Sequence, residues 1–198
     1  MSTKLYWKCG CGNLQLELGA DPFNVVSCHC HSCVASSMYL DKKYKGKPNY
    51  SSGIVNGAAS GGFCMPDALL AVSDGELNLG SLRVGPKGKS VRKYAQCCGT
   101  QIGVVEKAFI TLGLNSLYTN KECTDKYVPR EPVANCMKKY AFDPEKVPEP
   151  SYSFAPVGAM LKFLAVLINP FGPSTRKDIL DKFAVDHAEA EEVPITWE

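Results

Sequence analysis

The stretch SCHCHSC, residues 27–33, puts three cysteines and two histidines into seven residues. Two further cysteine groups decide how it is read. Cys9 and Cys11 lie in CGCG, where each glycine lets the backbone wrap an ion without a Cβ in the way. Cys97 and Cys98 lie in CCG, a knuckle with glycine after its last cysteine. The spacing of Cys28, Cys30 and Cys33 lets an extended piece supply two thiolates and the turn after it the third, a three-point clasp for a tetrahedral ion. Seven cysteines in two, three, two order fit two metal sites better than one. Thiolate softness favours zinc over magnesium, calcium or manganese and leaves iron open. A structural zinc takes four protein ligands, whereas a catalytic one takes three and keeps a position open. Cys9, Cys11, Cys97 and Cys98 make up the first kind of set; Cys28, Cys30 and Cys33 make up the second.

The chain has 198 residues, 45% of them hydrophobic, enough to bury a sizeable core without cross-links. With 22 basic against 20 acidic residues and a formal charge of +2, it lacks the excess of a dedicated nucleic-acid binder. The one basic run, Lys42, Lys43, Lys45 and Lys47, reads as a solvated loop leading to Pro48. No apolar stretch follows the first few residues, so no secretory signal and a cytoplasmic location are expected. Thiols stay reduced there, and ten cysteines read as ligands before they read as disulfides.

Leu14, Leu16 and Leu18 alternate with Gln15 and Glu17, the pattern of a half-buried strand, and NVVSC (24–28) resumes as a second. ELNLGSLRV, SVRKYAQ and AFITLGL are further β-compatible runs separated by GPKGK and CCGTQIG. YSSGIVNGAASGGF, residues 50–63, is glycine-rich and reads as a loop over a site or a flexible insert. The expected organisation is a mainly β domain over 1–128, a proline-rich linker or wrapping segment over 129–156, and a helical extension over 157–198. In that extension Met160, Leu161, Leu164, Leu167 and Ile168 share one helical face, expected to dock on the body rather than form a membrane-surface helix or a dimer contact. At about a dozen residues the run is too short for a bilayer span of roughly 20. A polar helix capped at Ser174 is expected after it.

The order Cys-x-Cys, then Cys-His-Cys-x-x-Cys, then a late cysteine knuckle before GTQI resembles the superfamily of glutathione-dependent formaldehyde-activating enzyme and centromere protein V, over residues 9 to 103. That resemblance implies a zinc-bearing β-tent of twisted antiparallel sheets and carbon-sulfur lyase chemistry that joins glutathione and formaldehyde. It maps Cys9, Cys11 and Cys98 to a structural zinc, and Cys28, Cys30 and Cys33 to the zinc associated with activity. The remaining sequence looks more like another branch of the superfamily than the formaldehyde enzyme itself. The knuckle departs from the family pattern, Cys-x-x-Cys-Gly, because Ala95 stands where its first cysteine belongs. Cys97 either substitutes for it or, since adjacent strand residues point apart, faces the second site or the core.

His29 and His31 are expected on the face opposite the three sulfurs: His29 in a supporting role, His31 exposed or facing substrate. His187 reads as solvated. Cys64 reads as a buried small hydrophobe, with a fourth-ligand role as the alternative. Cys123 and Cys136 have no partner spacing and receive no role. Asp67, Asp74 and Glu76 are too scattered to name an acid or base. Two functions compete: a zinc-dependent lyase acting on a small thiol or its aldehyde adduct, and a zinc-stapled interaction module whose second metal is closed by His31, Cys64 or Cys97.

Overall fold

The computed structural model describes residues 4–50, 52–65, 68–72, 78–106, 109–129, 133–168, 181, 183 and 189–194. Asp67, Asp74, Glu76, His187, the helix expected after Ser174 and the side chain of Leu167 lie outside the described residues.

The chain opens with a hairpin of β1 (Leu5–Lys8) and β2 (Gln15–Leu18), in which Leu5 faces Leu18 and Trp7 faces Leu16. Leu16 and Leu18 are buried and Glu17 is half-buried, as the alternation requires. There follow β3 (Asn24–Cys28), α1 (His31–Tyr44), β4 (Ile54–Val55), β5 (Ala58–Cys64) and β6 (Leu69–Val72). Next come β7 (Leu79–Val84), β8 (Arg92–Ala95), β9 (Gln101–Val104), β10 (Ile110–Gly113) and β11 (Leu117–Tyr118). The last elements are β12 (Ala134–Cys136), α2 (Val157–Leu167) and β13 (Glu191–Val193).

The strands form three sheets, in the orders β11-β1-β2-β6, β10-β5-β3-β12 with β4 on β5, and β13-β7-β8-β9. The fold is therefore mainly β. Pairing is antiparallel except where β12 joins β3 and β13 joins β7 in parallel. The main core, around Trp7, Leu16, Leu69, Ile102, Leu112 and Phe183, draws residues from all three sheets. A second core, with Leu40, Tyr44, Leu82, Tyr94 and Val193, seats α1 on the third sheet.

Four expectations need correction. Residues 31–44 are helical, and the helix hides in the sequence because Cys30 caps it without a side-chain bond and Ala35, Ser36 and Ser37 interrupt the apolar stripe of its buried face. Lys42 and Lys43 accordingly lie in its last turn, where cations suit the helix dipole, rather than in a loop. The glycine-rich stretch is not an insert but supplies β4 and β5, with β5 central in the second sheet. Asn56 and Gly57 take positive φ at the turn between them, the Asn-Gly hairpin signal. Finally, α2 packs through Phe163, edge-on to Phe63 at 4.6 Å and Phe109 at 5.4 Å. The face expected to dock is instead exposed at Met160, Leu161, Leu164 and Ile168.

Among the described residues no helix is long and apolar enough to cross a membrane. Segments 129–156 and 157–198 do not stand apart from the body, since each contributes a strand to a sheet.

Lys93 in β8 is buried, with its ammonium on Ser81 Oγ at 2.8 Å. Burial lowers its pKa to about 8. Below pH 8 the native state carries the full cost of a buried charge, and between pH 8 and 10.5 that cost fades as the native lysine loses its proton first. Lys93→Met is therefore expected to stabilise the fold at pH 7 by up to about 3 kcal/mol, with the gain shrinking as pH rises toward 10. Thermal unfolding of both proteins across that range checks it.

Candidate metal centres and the adjoining cavity

Two cysteine groups converge. Cys9, Cys11, Cys97 and Cys98 bring all four sulfurs within 4.8 Å of one another, and so do Cys28, Cys30 and Cys33 among themselves. Both groups can hold a metal ion.

The first centre joins two turns far apart in sequence. After β1 the chain reverses through Gly12, with φ at 82°, and Leu14 donates its backbone N–H to Cys9 Sγ at 3.2 Å while its carbonyl accepts from the Cys9 N–H at 2.9 Å. Gly10 sits so close to Asn49 that a Cβ would lie 1.8 Å from the Asn49 carbonyl oxygen, and its N–H donates to Thr100 Oγ1. The second turn follows β8. Gly99 takes φ of 77° and returns its N–H to the Ala95 carbonyl at 2.7 Å. Cys97 and Cys98 therefore belong to a turn and not to a strand, and their sulfurs converge instead of pointing apart. Cys97 Sγ lies 3.2 Å from Cys11 Sγ and 3.9 Å from Cys9 Sγ. Ala95, at the place of the cysteine that the family pattern calls for, is wholly buried in the main core.

These separations of 3.2 to 3.9 Å approach the edge of about 3.8 Å that a tetrahedron of metal–thiolate bonds near 2.3 Å would have. The donors are all sulfur, the set suited to a thiophilic ion. Before any metal, one thiol is already acidic: the hydrogen bond from Cys9, aided by Thr100, lowers Cys98 to about 4. That same bond, with burial, pushes Cys9 up. Burial and Cys11 push Cys97 up to about 12.

The second centre sits where β3 hands over to α1. Cys28 ends the strand, Cys30 is the N-cap, and Cys33 lies in the first helical turn with its N–H on the Cys30 carbonyl at 3.0 Å. Cys28 and Cys30 sulfurs are 3.4 Å apart. Cys33 is held well below the usual thiol range, first by hydrogen bonds from Cys28 and Cys30 and then by Arg92. The Arg92 guanidinium, itself buried, donates to Ser32 Oγ and approaches Cys33 Sγ at 3.8 Å.

Two residues of this neighbourhood escaped the sequence reading. Arg92 received no role, since a lone arginine in the β-compatible run SVRKYAQ carries no local signal. Cys136 looked isolated, yet β12 sets it in parallel register with Cys28, whose pKa it helps to raise, and it is buried beside the cluster without joining the three sulfurs that converge. A pairing signal so distant has no local spacing to betray it. The histidines stand off: His29 is buried with Nε2 on Asn135 Oδ1 at 3.2 Å, and His31 packs its ring on Phe142 at 4.3 Å. Cys64 lies in the main core, with its thiol pushed up to about 12 by burial, and Cys123 takes a side-chain bond from Gln15; neither joins a cluster.

A cavity of about 350 Å³ opens against the second centre. Cys28, Cys30, Cys33 and Cys136 line one end, Arg92 stands beside them, and Phe63, Phe109 and Phe163 form an apolar wall. The first centre has no part in it.

Cys97→Ser is expected to remove metal from the first centre and to destabilise the fold by at least about 2 kcal/mol, whereas Cys123→Ser leaves both unchanged. Metal analysis and melting curves check the pair. Since Cys98 is already a thiolate at neutral pH, loading the first centre at pH 7 should release fewer than four protons, measurable by calorimetry in buffers of different ionisation enthalpy.

No family model matches the chain, and no curated protein matches it.

Proposed function

We propose that the chain is a zinc-dependent enzyme of carbon-sulfur lyase type, acting on a small thiol and its adduct with an aldehyde or related electrophile. The observation that carries this reading is the cavity: Cys28, Cys30 and Cys33 line it, so a small molecule can reach the sulfur cluster, whereas Cys9, Cys11, Cys97 and Cys98 serve as a staple. In this reading both clusters hold zinc, and the three sheets are a β-tent of the superfamily that the cysteine order resembles.

Bound at the second centre, zinc supplies a Lewis acid that lowers the pKa of a ligated thiol. The chain's own residues do the rest. Three thiolates on one ion leave it a weak acid, which suits thiolate delivery better than hydrolysis by water. Arg92 offsets the negative charge that collects there. The phenylalanine wall excludes water from the reacting carbon. In the synthetic direction the thiol sulfur bonds to the carbonyl carbon, the carbonyl becomes a hydroxyl, and the thiol proton ends on that oxygen. The lyase direction reverses each change.

A second reading is favoured by one observation: Cys136 lies in register with Cys28 and lines the same cavity, outside the three sulfurs that converge, and a fourth thiol drawn in from there would close the metal site and make the domain a non-catalytic zinc-binding interaction module. Cys30→Ser separates them from one side. Two zinc ions per chain should fall to one with the fold retained, and thiol–aldehyde adduct formation or cleavage should drop at least about a hundredfold. Activity that persists after that zinc is gone overturns the enzyme reading. Cys136→Ser separates them from the other side: retained zinc and activity support the lyase, and loss of zinc supports the module.

A further inference from the structure

The cavity carries information about the molecule it receives. Asn24, Val26 and Cys28 alternate along β3 and so share one face, and all three line the cavity. Across the ladder Asn24 faces Phe63, Val26 faces Gly61 and Cys28 faces Ala59, and these three line it too. The cavity is therefore a trough along one strand pair. It runs from the sulfur cluster at Cys28 to Asn24, about 13 Å away at the strand rise of about 3.3 Å per residue.

The two ends differ chemically from the middle. Val26 and Gly61 face each other midway along the pair, Leu112, Phe109 and Phe163 also line the cavity, and none of these side chains offers a polar group. Most polar side chains on the walls are already engaged within the protein. Ser60 bonds Ser27, Gln101 bonds Ser36 and Ser37, Thr111 bonds Val104, and Arg92 bonds Ser32. Asn24 differs from these in being a buried side chain with an unpartnered donor. Among the described residues only two buried side-chain polar atoms lack a partner, Trp7 Nε1 in the main core and Asn24 Nδ2 in this trough. Asn24 is 8% exposed, so water does not satisfy it freely. A buried donor without an acceptor is costly to the fold, and a ligand carbonyl would recover that cost.

We propose that the molecule bound here is an extended, largely apolar thiol whose far end carries a carbonyl oxygen: its sulfur sits at the Cys28, Cys30 and Cys33 cluster and its carbonyl accepts from Asn24 Nδ2. The inference rests on the metal-dependent thiol chemistry proposed above and departs from the ligand that the family resemblance implies. Glutathione brings two carboxylates and an ammonium. Among the described residues the lining holds one cation, Arg92, already committed to Ser32 and Cys33, and no acidic side chain.

Calorimetric titration of the zinc-loaded full chain with three thiols tests it: a medium-chain ω-mercaptoalkanamide, the alkanethiol of equal length, and glutathione. The amide should bind at least about tenfold more tightly than either of the others, because a site built to donate a hydrogen bond rejects a ligand lacking the acceptor. Asn24→Leu should reduce the amide to the affinity of the alkanethiol. Should that variant fail to fold, Gly61→Val provides a second check. A Cβ at Gly61 meets only the Leu112 carbonyl oxygen at 3.7 Å, an ordinary contact that leaves the strand room for a side chain, and the added bulk in mid-trough should weaken both long thiols while sparing the zinc content. Equal affinities for amide and alkanethiol, or glutathione binding as tightly as the amide, overturn the inference and leave the enzyme reading standing. Binding of all three that survives Cys30→Ser, or binding of none, overturns the enzyme reading and this inference with it.

Discussion

The rest of the molecule depends on four sulfurs from two turns meeting at one point. Cys9 and Cys97 are 88 positions apart in sequence, and their sulfurs are 3.9 Å apart in space. An ion held there would fix the end of β1 against the end of β8, and so would join the first and third sheets by ligation as well as by the core between them. From that pinned end, β8 runs back through Tyr94 to Arg92, and Arg92 reaches the second cluster. One centre thus sets the position of a cation in the other. Four unligated thiols at this spacing would lose that tie, since ionising more than one of them sets like charges side by side.

Much of this was legible in the chain. The two, three, two order of cysteines divided the ligands into the groups that the fold brings together, because spacing within a turn is a local property. Leu16 and Leu18 announced a half-buried strand by simple alternation. What stayed hidden was set by partners distant in sequence. Cys97 beside Cys98 looked divergent under strand geometry, and only the turn closed by Gly99 makes the two sulfurs agree. Cys136 comes to Cys28 through a parallel pairing that no spacing encodes.

The helical misreadings have a different origin. In α1 the buried side includes Ala35, Ser36 and Ser37, small residues that let the helix lie close to the sheets while erasing the apolar stripe that a sequence reader seeks. In α2 the large aliphatic residues point outward and one aromatic ring, Phe163, makes the contact with three phenylalanines of the body. Hydropathy alone identified the wrong face because it weighs residues without regard to the shape of what receives them.

The terminal strand β13 has a role that its length of three residues conceals. Glu191 holds Lys43 at 2.7 Å and accepts from Tyr39, both on α1, while the strand itself pairs with β7. The helix that carries Cys33 is thereby fastened at its far end by the last described part of the chain. All ten cysteines precede that strand, so a shortened descendant could inherit the complete ligand pattern and still lose the fastening of the helix behind it. Descent of the cysteine signature and descent of a working site are separable events in this architecture.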